Sequence, residues 1–148
     1  RSLYTGLNLA GWKAAESETH WQPKDWILAF NGAEKDSGAL TTTQAFENIG
    51  FVVDVRLKNE SSRTLITAGP TASVDMNDPK VTAHLEPVGR WNRFEGGIGD
   101  GKRWLTVNGH HVSLPRVPVS DGPVSITLKP TGPVDFCNIY ARSLDVDK

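Results

Sequence analysis

Trp104-Leu105-Thr106-Val107-Asn108-Gly109-His110-His111-Val112-Ser113-Leu114 is the stretch on which the fold turns. Apolar and polar residues alternate on both sides of Asn108-Gly109, and Asn-Gly favours a two-residue type I′ turn because both central positions need positive φ. That turn sets the register: Val107 opposes His110, and Leu105 opposes Val112. Leu105, Val107, Val112 and Leu114 then share a core face, while Trp104, Thr106, His111 and Ser113 share the opposite one.

The same period of two continues outward. Phe51, Val53, Val55 and Leu57 face one way; Val52, Asp54, Arg56 and Lys58 face the other. Further strand-like runs are Trp26–Phe30, Arg63–Ala68, Ala72–Met76, Val81–Glu86, Trp91–Glu95, Arg103–Val107, His110–Leu114, Val124–Lys129 and Val134–Leu144. Turn signals separate them at Asn31-Gly32, Asn77-Asp78-Pro79, Gly96-Gly97, Asp121-Gly122-Pro123 and Thr131-Gly132-Pro133. Short strands at roughly 8–12-residue spacing imply an all-β, antiparallel sandwich or barrel. Lys13 to Gln22 is the one window for a short helix, which Pro23 would stop.

The 148 residues fit one domain, spanning 1–148, with 38% hydrophobic and 22% charged residues. Sixteen basic and 17 acidic side chains are dispersed along the chain, for a net charge of −1. No basic stripe is present to neutralise phosphates, which argues against nucleic acid as a partner. No apolar run approaches the roughly 20 residues of a membrane-crossing helix, so no membrane partner is expected. Cys137 is the single cysteine and reads as a small buried side chain in the apolar run Val134–Ala141. The chain opens at Arg1 without a methionine or leader, so any export signal would precede it.

Several segments, in order, resemble the 3-keto-disaccharide hydrolase family. They are Tyr4-Thr5-Gly6-Leu7-Asn8-Leu9-Ala10-Gly11-Trp12, Trp21 through Leu40, Phe46 through Leu57, Gly89-Arg90-Trp91-Asn92, Asp121-Gly122-Pro123-Val124-Ser125-Ile126 and Phe136-Cys137-Asn138-Ile139. The resemblance implies a concanavalin A-like jelly roll of two curved antiparallel sheets, with carbohydrate bound on the concave face. It also implies an exported protein, periplasmic or extracellular. The segment Ser61–Leu85 is shorter than its counterpart in the family and keeps none of that region's motifs. The family's acidic position falls on Arg56, unless Asp54 substitutes after a register slip.

Sugar recognition needs an aromatic face for the apolar C–H side of a pyranose and planar polar groups for its hydroxyls. Trp91, Arg93 and Glu95 meet that need if Phe94 points into the core. Asn92 and Asn138 lie in the matched segments, and Trp104 and His111 are cross-strand neighbours able to form a rim. Asp54, Asn92, Arg93, Trp91, Trp104 and His111 are therefore the candidate ligand contacts. Common glycoside hydrolysis uses two carboxyl groups, and Asp54, Glu86 and Glu95 are the acids on the expected central strands. A 3-keto glycoside can instead be opened by one base and an oxyanion stabiliser. Glu86, Glu95 and His84 are then the candidate bases, with Arg56 or Arg93 as stabiliser. The histidines lack metal-ligand spacing, and no Asp-rich calcium loop stands out, although a calcium site built from backbone carbonyls would leave little trace. No cofactor is expected. Gly96 to Gly101 reads as a hairpin turn rather than a phosphate loop, since no helix start follows. Three functional classes remain in view: a glycoside hydrolase-like domain, a non-catalytic carbohydrate-binding module, and an interaction domain of a larger exported protein.

Overall fold

A computed structural model describes residues 3–4, 6, 9–14, 21–31, 39–46, 49–68, 72–99, 102–113 and 123–143. Its strands are β1 (Trp12–Ala14), β2 (Trp21–Lys24), β3 (Ile27–Asn31), β4 (Leu40–Thr42), β5 (Ile49–Leu57), β6 (Arg63–Ala68), β7 (Ala72–Asp75), β8 (Trp91–Gly99), β9 (Lys102–Val107), β10 (His110–His111), β11 (Ile126–Thr131) and β12 (Pro133–Ser143). Among the described residues they form a smaller sheet of five strands, β1-β4-β11-β6-β7, and a larger one of seven, β10-β9-β8-β5-β12-β3-β2. Every pairing is antiparallel. The chain is an all-β sandwich.

The alternation of Phe51–Leu57 sorts its residues as expected. Phe51, Val53, Val55 and Leu57 are buried against the opposite sheet, with Phe94, Phe136 and Leu28 from the larger sheet and Ile66, Ile126, Leu128 and Leu40 from the smaller. Trp21 packs its ring 5.1 Å from Phe30 and 5.7 Å from Phe136, closing one side of the core. The hairpin also has the expected register, Val107 opposite His110, with Asn108 at φ 50° and Gly109 at φ 84°. The Val112 N–H donates to the Leu105 carbonyl at 2.9 Å, although β10 ends at His111 and Leu114 lies outside the described residues.

Two local expectations are corrected, and a third is corrected only at its ends. Val81–Glu86 is not a strand: Pro79–Thr82 forms a short helix, α1. Asp78 caps it by accepting from the Lys80 N–H at 2.9 Å, and Pro79 fits the first turn, where no N–H donor is needed. The helix inserts Val81 into the core. The glycine run is not a turn throughout, because Gly96 to Gly99 continue β8. In the helix-capable window, Lys13 and Ala14 belong to β1, and Trp21 and Gln22 to β2; residues 15–20 lie outside the described set. Among the described residues no helix is long and apolar enough to cross a membrane.

Candidate functional site

The outer face of the larger sheet collects most of the polar side chains singled out above. Strand register arranges them in four rows running across the strands. The first is Asp135, Arg56 and Trp91; the second is Cys137, Asp54 and Arg93. The third is Tyr140, Val52, Glu95, Thr106 and His111; the fourth is Arg142, Gly50, Gly97 and Trp104.

The first two rows are occupied by internal ion pairs. Asp54 is 7% exposed and accepts from Arg93 through both oxygens, from Nε at 2.8 Å and Nη2 at 2.9 Å, and from Asn138 Nδ2 at 2.7 Å. That forked contact and the Asp54 charge raise the pKa of the Arg93 guanidinium. Asp135, 2% exposed, accepts from Arg56 Nε at 3.1 Å and Nη2 at 2.6 Å, with Lys58 Nζ at 3.7 Å. The Arg56 guanidinium also lies 4.6 Å from the centre of the Trp91 ring, so it covers the indole that a sugar would need. Arg56 and Asp54 are thus each engaged in an ion pair of the fold, Arg56 with Asp135 and Asp54 with Arg93.

Cys137 is half-buried on this outer face, not packed within the core as expected. Burial, and next the Asp54 charge, push its thiol up from 9.0 to about 11. Alkylation by iodoacetamide is therefore expected to be slow at pH 8, its rate climbing near pH 11 rather than 9, as followed by mass spectrometry. Because the folded pKa is the higher one, the thiol's contribution to stability is full below the unfolded value. It fades as the pH rises through the folded one.

Rows three and four differ in kind. Between them lies a hollow of about 230 Å³ whose lining includes Gly50, Val52, Glu95, Trp104, Tyr140 and Arg142. Trp104 rests on Gly97, where a Cβ would run into the indole and come within 2.5 Å of the Ile49 carbonyl oxygen. The glycine lets the ring lie close to the sheet. Tyr140 reaches this face because of a β-bulge: Asn138 and Ile139 together oppose Val53, with Asn138 at φ 48°. Beyond the bulge Ile139 and Ala141 are buried and Tyr140 and Arg142 are exposed. The result is a small open hollow with two aromatic walls, one carboxylate and one guanidinium.

Asp54, Arg56, Trp91, Arg93, Glu95, Trp104 and His111 therefore share one face, and the structure separates three other candidates, Asn92, Glu86 and His84, from them. Asn92 is 1% exposed on the core side, where its Oδ1 accepts from the Glu86 N–H at 2.7 Å and Asn108 Nδ2 at 2.9 Å. It has no surface to offer a ligand. Glu86 is exposed, but in the connection before β8 rather than on a strand. His84 stacks on His110 with ring centres 4.6 Å apart. Tyr140, Arg142, Asp135 and the two glycines were not singled out beforehand. Among the described residues no group of three or more His, Cys, Asp or Glu side chains is placed to hold a metal ion.

Asn108 ties the hairpin to the connection below it. Its Oδ1 accepts from the Arg93 N–H at 2.8 Å, and its Nδ2 donates to the His84 carbonyl at 2.8 Å and to Asn92. Asn108→Ala removes these bonds and puts alanine at positive φ. A loss of about 2–3 kcal/mol in urea unfolding is expected.

No protein-family model matches the sequence, and no curated protein matches it either. Solved structures do match in fold. A candidate glycosyl hydrolase from Parabacteroides distasonis superposes with a TM-score of 0.71 at 18% identity, covering 97% of this chain and 93% of that one. The β-glucanase of Bacillus licheniformis gives 0.67 at 7% identity, with 97% of each chain covered. The carbohydrate-binding module CBM66 from Bacillus subtilis gives 0.65 at 12%, covering 90% of this chain and 96% of that one. At these identities the likeness is one of fold: a glucanase-like jelly roll shared by glycan-cleaving and glycan-binding proteins.

Proposed function

We propose that this chain binds carbohydrate in the hollow between Trp104 and Tyr140. The observation that carries the reading is the pairing of two aromatic walls with one accepting and one donating group, Glu95 and Arg142, around a space of about 230 Å³. Indole and phenol faces suit the C–H faces of a pyranose, and a carboxylate and a guanidinium suit its hydroxyls. The volume lies below the ~300–1,000 Å³ of drug-sized pockets, which favours a single sugar ring. The fold neighbours, which include glycosyl hydrolases and a carbohydrate-binding module, support the ligand class. An exported location is part of the same proposal.

Titration with glucose, trehalose and glucose-based disaccharides, followed by the indole N–H signals in NMR, tests it. Trp104→Ala is expected to weaken binding about tenfold, the equivalent of ~1.4 kcal/mol. Saturable binding that leaves the Trp104 signal unmoved for every sugar would refute the assignment.

Hydrolysis is the second reading, and one observation favours it. Glu95 is the exposed acid on this face, and Asp54 is its diagonal neighbour on the adjacent strand, a relation that sets positions roughly 7–8 Å apart. Asp54 is committed to Arg93 and Asn138, which leaves Glu95 as a single base. A single base suits a 3-keto glycoside, the substrate class that the family resemblance suggests. Glu95 would take the acidified C2 proton, the C1–O bond would break as a C1=C2 double bond forms, and the leaving sugar's oxygen would take the proton back from Glu95. Water would then add across the double bond, its hydroxyl to C1 and its proton to C2. Glu95→Gln is expected to abolish sugar release from a 3-keto-glucoside while binding survives. Equal release by the variant and the parent would rule Glu95 out.

A further inference from the structure

Trp26 is the most exposed large hydrophobic side chain among the described residues, at 68%. It sits at the tip of the β2–β3 hairpin, whose last pair is Lys24 with Ile27, in a two-residue turn opened by Asp25 at φ 56°. Two devices hold it there. The buried Tyr4 hydroxyl lies 3.0 Å from the Asp25 carbonyl oxygen and 3.2 Å from that of Ile27, bracketing the tip. One face of the indole lies against Gly6, at φ 83°, where a Cβ would come within 2.8 Å of the ring. With one face against Gly6, the side chain as a whole still stays 68% exposed. A ring backed by glycine with that much free surface is a stacking platform.

Its surroundings narrow the occupant. Lys24 and Asp25 beside it are exposed and charged, and of the other exposed large hydrophobics Trp104 and Tyr140 belong to the hollow. A stable protein interface needs about 800 Å² from each partner, far more than one isolated ring provides. One sugar ring needs no more than that. The tip also lies at the hollow's end of the sheet. Leu28 pairs with Phe136, and the Leu3 N–H donates to the Ile139 carbonyl at 2.7 Å, next to Tyr4 in sequence on one side and Tyr140 on the other. One to two strand spacings, about 5–10 Å, separate Trp26 from Tyr140 in the sheet direction.

We propose that Trp26 is an outer stacking subsite for a glycan longer than the hollow can hold, so that the ligand is an oligosaccharide passing Tyr140 to reach the hairpin tip. This rests on the carbohydrate reading of the hollow. Calorimetry with glucose and with cellotetraose, laminaritetraose and maltotetraose tests it on the full chain. Trp26→Ala is expected to weaken the preferred tetraose about tenfold and glucose by less than twofold, at unchanged melting temperature, with Trp26→Phe recovering most of the loss. Tetraose affinity unchanged in Trp26→Ala but lost in Trp104→Ala would overturn the outer subsite and leave the hollow standing. An equal loss for glucose and tetraose in Trp26→Ala would also overturn it. Binding of none of these sugars by the parent chain would remove both readings.

Discussion

Gly97→Val is expected to cost about 3 kcal/mol or more of folding stability and to abolish sugar binding at the hollow. Overpacked interiors lose roughly 1–3 kcal/mol when side chains can shift, and more when backbone stands in the way. Here one obstacle is backbone: the Ile49 carbonyl oxygen, 2.5 Å from the new Cβ. The other is the Trp104 ring, which would have to leave the sheet and take the wall of the hollow with it. Urea unfolding reads the first effect and indole NMR the second. A valine variant with the parent's urea midpoint and an unmoved Trp104 signal would show that the ring does not rest on this glycine.

Asp54→Ala is the second large effect, expected at about 2–4 kcal/mol. Breaking a buried ion pair from one side typically costs 3–5 kcal/mol, because the remaining charge is left unpaired. Arg93 lowers that figure, since its side chain is 51% exposed and water can solvate the freed guanidinium. Asn138 raises it again, because its Nδ2 loses a 2.7 Å acceptor while its backbone stays at positive φ. The double variant Asp54→Ala/Arg93→Leu is expected to recover part of the loss in urea unfolding. If the double variant were less stable than the two single losses added together, the pair would not be coupled as described.

Much of this arrangement is legible in the sequence alone. The alternation of Phe51–Leu57 placed Asp54 and Arg56 on the outer face, and the position of Phe94 placed Trp91, Arg93 and Glu95 beside them. Asn108-Gly109 set a register that holds. These are local signals, written within a few residues of where they act. Part of what escaped depends on distant pairing. Nothing near Arg56 announces Asp135, 79 positions away, as its partner, so a charge that looked available turned out to be engaged. Asn92 lies in a segment read by resemblance as a ligand contact, yet it alternates with Trp91 and Arg93 and faces in with Phe94. Val81–Glu86 carried strand-like residues, but the Asp78-Pro79 cap just before it decided for a helical turn. Gly97 read as turn material because glycine's role under an indole shows only when Trp104 is laid opposite.

The bulge at Asn138 and Ile139 gives β12 two halves with opposite parity. Up to Cys137 odd-numbered residues look outward; from Tyr140 onward even-numbered ones do. Straightening the strand there with every residue kept would put Ile139 opposite Val52, exchange Tyr140 and Arg142 for Ile139 and Ala141 on the outside, and send an aromatic ring and a guanidinium toward the interior. Removing one of the two bulge residues would leave Tyr140 facing out. The extra residue in the bulge is therefore what keeps one wall of the hollow on the outside, and losing the bulge without losing a residue would dismantle that wall without altering any side chain in it.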